Sequence, residues 1–187
     1  MITYAPFEII VLSIMVSPMF IVAIRKKYRG GRLLSVVALE IYIVFISKYF
    51  FFPIIYDKGI FLGSCHAIQL IPFLPFLNQI RSAGWKPFLF QAAGNLFSFV
   101  PITFLLAISF PRYQKIRCCI FSSLLISIAI ELIQLGINLI TGIQNRIIDI
   151  NDVILNMSGG IVGFFVFKLW HRLEFLVKTY WFNTTQI

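Results

Sequence analysis

Residues 146–163 read RIIDINDVILNMSGGIVG, which sets Arg146, Asp149, Asp152 and Asn156 at the mouth of an apolar helix carrying Gly159, Gly160 and Gly163. Asp152 and Asn156 are four residues apart and share one helical face. Asp149 stands one turn earlier, where it can cap the helix and favour the positive end of its dipole. Gly159 with Gly163, and Asn156 with Gly160, follow the small-xxx-small spacing that lets a second helix approach closely in lipid. A soluble helix spreads charge along its outer face; here the polar groups cluster at one end. That pattern predicts a membrane protein with a polar pocket at one surface.

Composition agrees. The chain has 187 residues, 59% hydrophobic and 12% charged, with a mean hydropathy of +0.91. Soluble domains carry about 25% charged residues, so this chain cannot clothe a globule in polar surface. The expectation is an all-α, polytopic membrane helix bundle forming a single domain over residues 1–187. The net charge of +9 does not indicate nucleic acid, because Lys and Arg come in short bursts between apolar runs, as in membrane loops. Cys118 and Cys119 are adjacent and Cys65 lies in another loop, so no disulfide framework is expected. Cys65-His66 lacks a second Cys/His pair to complete a metal site; neither metal nor cofactor is expected.

Five spans are expected, at about 7–24, 33–56, 88–110, 118–140 and 153–170. The first has no basic residue before it and RKKYRGGR after it, the reverse of a secretory signal, so it is expected to be retained with the N-terminus outside. Pro18 is expected to kink it. The aromatic end of the second, Tyr49 to Pro53, suits a membrane interface. Residues 57–87 are too broken by Pro and Gly to span and are expected to form an outside loop, with Ile68 to Leu77 along the membrane surface. Lys168, Arg172 and Lys178 are assigned to a cytoplasmic tail. This layout puts eleven basic residues inside and four outside, with Lys48 within a span. The asymmetry fits the positive-inside rule and sets the N-terminus out and the C-terminus in.

Polar residues inside the spans converge. Ser123, Ser127, Glu131, Gln134 and Asn138 recur every three or four residues and form one stripe on the fourth span. Gln91, Asn95 and Ser98 form another on the third, followed by Pro101, which frees a backbone carbonyl that a neighbour can satisfy. Lipid satisfies none of these groups, so the stripes are expected to face one another. The candidate ligand-binding set is Asn95, Glu131, Gln134, Arg146, Asp149, Asp152 and Asn156. Ser98, Ser123 and Ser127 read as packing contacts, each worth about 0.6 kcal/mol. For Asp149 and Asp152 the plain alternative is capping plus an ion pair with Arg146. Glu131 is an intramembrane carboxylate and a functional candidate in its own right. Glu40 and Lys48 have no assigned role.

Four blocks, in this order, resemble the VanZ-like family, named for a protein associated with teicoplanin resistance. Gln69 to Phe73 (QLIPF) is similar to NLIPF, and Gly94 to Pro101 (GNLFSFVP) to GNxxxFxPxG. Glu131 to Gln134 (ELIQ) is similar to ExxQ, and Arg146 to Gly160 to RxxDxDDxxxNxxGG. Gln69 stands where Asn is usual, Thr103 where Gly is usual, and Asn151 replaces the first Asp of the pair. That last change removes one of two adjacent carboxylates that a dedicated divalent-metal site would use. The resemblance covers about residues 69–163, within a family-like core of about 33–170. It implies a small multi-spanning membrane protein, some of whose relatives lower susceptibility to acyl-bearing glycopeptides.

Three functions compete. The first is a non-enzymatic binding or protective protein at the outer membrane surface, holding a membrane lipid or an acylated glycopeptide with its headgroup near Arg146. The second is an intramembrane enzyme on a lipid-linked or acylated substrate, with Glu131 or Asp152 as general base; no Ser or Cys sits beside a His to serve as nucleophile. The third is proton-coupled transport through Glu131, for which a homodimer would supply the symmetry that five spans without repeats lack.

Overall fold

In the computed structural model, the described residues are Met19, 21–55 and 68–184. Most of the first expected span, together with Lys58, Cys65 and His66, lies outside them. Among the described residues four helices are long and apolar enough to cross a membrane. They are α1 (Gly31–Phe51), α3 (Trp85–Ser109), α4 (Ile116–Thr141) and α5 (Ile150–Thr184), with the short helix α2 (Leu74–Ala83) between α1 and α3. The protein is an all-α helical bundle.

Each long helix starts or ends where its sequence dictates. Helix α1 stops at Phe51, two residues before Pro53, which cannot continue the hydrogen-bond ladder. Gly142 closes α4 with a left-handed φ of +68° and donates its N–H to the Asn138 carbonyl. Helix α5 includes the expected 153–170 span and continues well beyond it. It runs 35 residues, because residues 164–184 contain neither Gly nor Pro to end it. Lys168, Arg172 and Lys178 therefore lie on this same helix, and Lys178 pairs with Glu174 one turn back at 2.6 Å.

The 57–87 segment also differs from a plain loop. Residues Ile68–Gln69 (β1) pair in parallel with Ile148–Asp149 (β2), Ile68 opposite Ile148 and Gln69 opposite Asp149. Phe73 takes a left-handed backbone, φ +64°, and its N–H is held by Asn151 Oδ1 at 2.8 Å. Helix α2 then turns at Gly84 into α3, packing Phe76 edge-on against Phe88. These contacts are long-range, and no local pattern in the sequence announces them.

The bundle closes around Leu39, Phe50, Phe99, Ile102, Leu106 and Ile130. Ser35 and Ser109 share a hydrogen bond at 2.9 Å, tying the start of α1 to the end of α3. The glycines of α5 admit its neighbours: a Cβ on Gly159 would overlap the Leu96 carbonyl of α3, and one on Gly160 would overlap Ser123 of α4. Thr103 fills the space that Gly163 leaves. Near the Pro101 turn α1 is tied to α3 by the Tyr42 hydroxyl, which donates to the Ser98 carbonyl at 3.1 Å. All five polar residues of the α4 stripe are buried, as their spacing predicts.

Candidate functional site

One end of the bundle gathers the C-terminal end of α1, the N-terminal halves of α3 and α5, and the C-terminal half of α4. Between them lies a cavity of about 560 Å³. Asn95, Glu131, Gln134, Arg146, Asp152 and Asn156 line it, so six of the seven expected residues come together. Asp149 lines an adjoining cavity of about 300 Å³ on the α2 side, which shares Gln91 and Ile147 with the first.

Most of these residues spend part of their hydrogen-bonding capacity on the fold. Glu131 Oε2 accepts the Asp149 N–H at 3.1 Å and so anchors β2. Gln134 Nε2 donates to the Phe50 carbonyl at 2.9 Å. Asn138, fully buried, holds the turn after α4: its Nδ2 donates to the Arg146 carbonyl at 2.7 Å, and its Oδ1 accepts the Asn145 and Arg146 N–H groups at 2.8 and 3.2 Å. Arg146 then reaches the end of α1, where its Nη2 donates to the carbonyls of Tyr49 and Phe52 at 3.1 and 2.8 Å. Those carbonyls are the unsatisfied, negative end of a helix, so a guanidinium is well placed there. Among the described residues Arg146 forms no ion pair with Asp149 or Asp152; the carbonyls take its place.

Asp149 acts as a cap. Its Oδ1 accepts the Asn151 N–H at 2.9 Å and the Asn151 Nδ2 at 2.7 Å. Burial raises the Asp149 carboxyl above its ordinary range, opposed by these two hydrogen bonds. The same Asn151 that donates to Asp149 accepts from Phe73, so this asparagine pins the QLIPF block to the start of α5. An aspartate at 151 would lose the donor and set a second carboxylate against the first.

A side-chain chain crosses three helices: Gln79 Nε2 donates to Gln91 Oε1, and Gln91 Nε2 to Asp152 Oδ1, each at 3.3 Å. Gln91 belongs to the stripe read from sequence; Gln79, Tyr49 and Phe90 were not expected at the site. Tyr49 sits in the aromatic run that reads as an interface anchor, and nothing in the spacing of Gln79 or Phe90 marks them.

Three buried polar atoms around the main cavity have no hydrogen-bond partner among the described residues: Asn95 Nδ2, Arg146 Nε and Asn156 Oδ1. Asn95 is turned toward the Asp152 carboxylate in a weak side-chain contact, with its Nδ2 short of full hydrogen-bond geometry. Asn156 donates its Nδ2 to Ser127 Oγ at 2.8 Å, which orients its oxygen away from that contact. Native proteins leave few buried polar groups unpaired, and each such group needs an explanation. No cluster of three or more His, Cys, Asp or Glu suited to a metal ion occurs among the described residues.

Fold and site together define a small polytopic membrane helix bundle with a polar cavity between its helix ends. Residues 38–171 match the VanZ/LLP1 family model, and the chain belongs to that family. The four blocks, 69–73, 94–101, 131–134 and 146–160, all fall inside the matched range. No curated protein matches the chain, and no solved structure matches it.

Proposed function

We propose that this protein binds an acylated ligand, with the ligand's polar headgroup in the cavity and its acyl chain between helices. The observation that carries this reading is the set of three unpartnered buried atoms, Asn95 Nδ2, Arg146 Nε and Asn156 Oδ1, around one cavity. Leaving such a group dry and unpaired costs about 1–3 kcal/mol, so a partner at these atoms stabilises the site. A path for the chain adjoins it. Tyr49 and Arg146 also line an open groove of about 690 Å³ along α1 and α3, walled by Phe45, Ile46, Gly94 and Phe97. Tyr42, Lys48 and Ser98 also line this groove, and its apolar wall of Phe45, Ile46, Phe52 and Phe97 suits an alkyl chain whose headgroup lies deeper.

The basic residues favour an outward cavity. Arg29, Arg32 and His171 line a separate cavity at the start of α1, the bundle end opposite the polar site. With Arg112 and Lys115 in the α3–α4 link and Arg117 at the start of α4, this is the end the positive-inside rule assigns to the cytoplasm. The polar cavity then opens at the outer face of a bacterial plasma membrane. A native lipid or an acyl-bearing glycopeptide such as teicoplanin would meet it there, and retention of the latter would lower susceptibility. The described lining residues include no Ser, Cys or His, so no Ser–His or Cys–His pair is present among them to act as an activated nucleophile.

Teicoplanin carries an acyl chain and vancomycin does not. Susceptibility to both is to be measured in cells expressing wild type or Asp152→Asn, with membrane levels checked by blot. Selective protection against teicoplanin, lost in the variant at equal expression, is the expected result. Wild type that protects against neither drug sinks the resistance role and moves the search to copurifying lipids.

A further inference from the structure

We infer that the headgroup this cavity takes is hydroxyl-rich, a glycosyl or polyol lipid, rather than a phosphate; the inference rests on the binding reading above. It follows from which atoms the fold leaves over.

Arg146 is the only cation lining the cavity among the described residues, and it cannot grip a phosphate in two-pronged fashion. A guanidinium has two such edges, Nε with Nη2 and Nη1 with Nη2. Both need Nη2, which already donates to the Tyr49 and Phe52 carbonyls. What remains at the buried side is the single Nε–H.

The other unfilled groups are of mixed kind. Asn95 Nδ2 is a donor, whereas Asn156 Oδ1 is an acceptor. Glu131 and Asp152 line the same cavity, and each has carboxylate lone pairs beyond the bond from Asp149 to Glu131 and the contacts of Gln91 and Asn95 with Asp152. A phosphate mainly accepts; it would leave Asn156 and the carboxylates unmatched and set its charge against theirs. A hydroxyl both donates and accepts, so several hydroxyls on one ring can satisfy the donors and the acceptors together. Tyr49, Phe50 and Phe90 complete the lining with apolar faces suited to the C–H faces of a sugar or polyol.

The test uses the full chain in detergent micelles and three lipids with identical acyl chains: glucosyl-diacylglycerol, phosphatidic acid and diacylglycerol. Retention of each is read by native mass spectrometry. The glucosyl lipid is expected to be retained at least about tenfold better than either of the others. Asn95→Leu, which removes a donor from the cavity, is expected to bring retention of the glucosyl lipid down to the diacylglycerol level, and a variant that keeps the full preference overturns the role given to Asn95. Phosphatidic acid held most tightly overturns the hydroxyl-rich headgroup but leaves binding standing. Equal retention of all three overturns any headgroup selection. No retention of any of them removes the binding reading as well.

Discussion

Glu131→Ala is the most informative perturbation of this fold, because one carboxylate oxygen links the floor of the cavity to the strand pair at its rim. Glu131 and Asp149 are 7% and 4% exposed, and the Asp149 N–H donates to Glu131 Oε2 at 3.1 Å. Alanine leaves that N–H without an acceptor. The cost is about 1–3 kcal/mol for a buried unsatisfied group, toward the lower end if water enters through the adjoining cavity. Local opening of residues 146–152 should become easier by that amount, equivalent to roughly 5–150-fold faster amide exchange. Glu131→Gln keeps a carbonyl acceptor at the same place. A neutral bond is worth about 1 kcal/mol less than one to a charged group, so exchange should rise only several-fold. Hydrogen–deuterium exchange with mass spectrometry in micelles reads both variants, with a peptide around Ser35 as the distant control. The reasoning is refuted if alanine leaves 146–152 as protected as wild type, or if glutamine exchanges as fast as alanine. Equal acceleration at Ser35 would also refute it, since that means global loss of structure.

Gly159→Ala must push its Cβ against the Leu96 carbonyl, and overpacking of this kind costs about 1–3 kcal/mol; thermal unfolding in detergent should show a lower midpoint. Gly136→Ala meets nothing within 4 Å and should be neutral or stabilising by up to about 1 kcal/mol, the helix-propensity gain. Asn138→Leu strips three hydrogen bonds from the turn that carries Arg146. Limited proteolysis should cut residues 142–147 faster, and glucosyl-lipid retention should fall with it. For Asp149 the folded carboxyl binds its proton more tightly than the ordinary 3.8, because burial raises it. Its contribution to stability is therefore complete below about pH 3.8 and lost as pH rises through the raised value. The unfolding midpoint of wild type should fall relative to Asp149→Asn across that window, and parallel curves would show that Asp149 does not titrate as argued.

By itself the sequence determined the class and the inward faces. Long apolar runs with few charges dictate membrane helices, since lipid leaves a spanning backbone no other way to satisfy its polar groups. The three-and-four spacing of Ser123, Ser127, Glu131, Gln134 and Asn138 fixed which side of α4 is buried, and residues 146–163 already held much of the cavity's polar chemistry. Tertiary structure alone decided what each polar atom does. Arg146 reads as the partner of a headgroup or of Asp149 and Asp152, yet it serves the carbonyls at the end of α1, residues more than ninety positions away. Asn151 reads as a lost carboxylate, yet it joins Phe73 to Asp149. The pairing of Ile68–Gln69 with Ile148–Asp149, and the recruitment of Tyr49, Gln79 and Phe90, depend likewise on chain crossings. Periodicity reports only what lies on one face of one helix. Which partner a hydrogen-bonding group meets is set by the packing of separate helices, and that packing also decides which few atoms remain for a ligand.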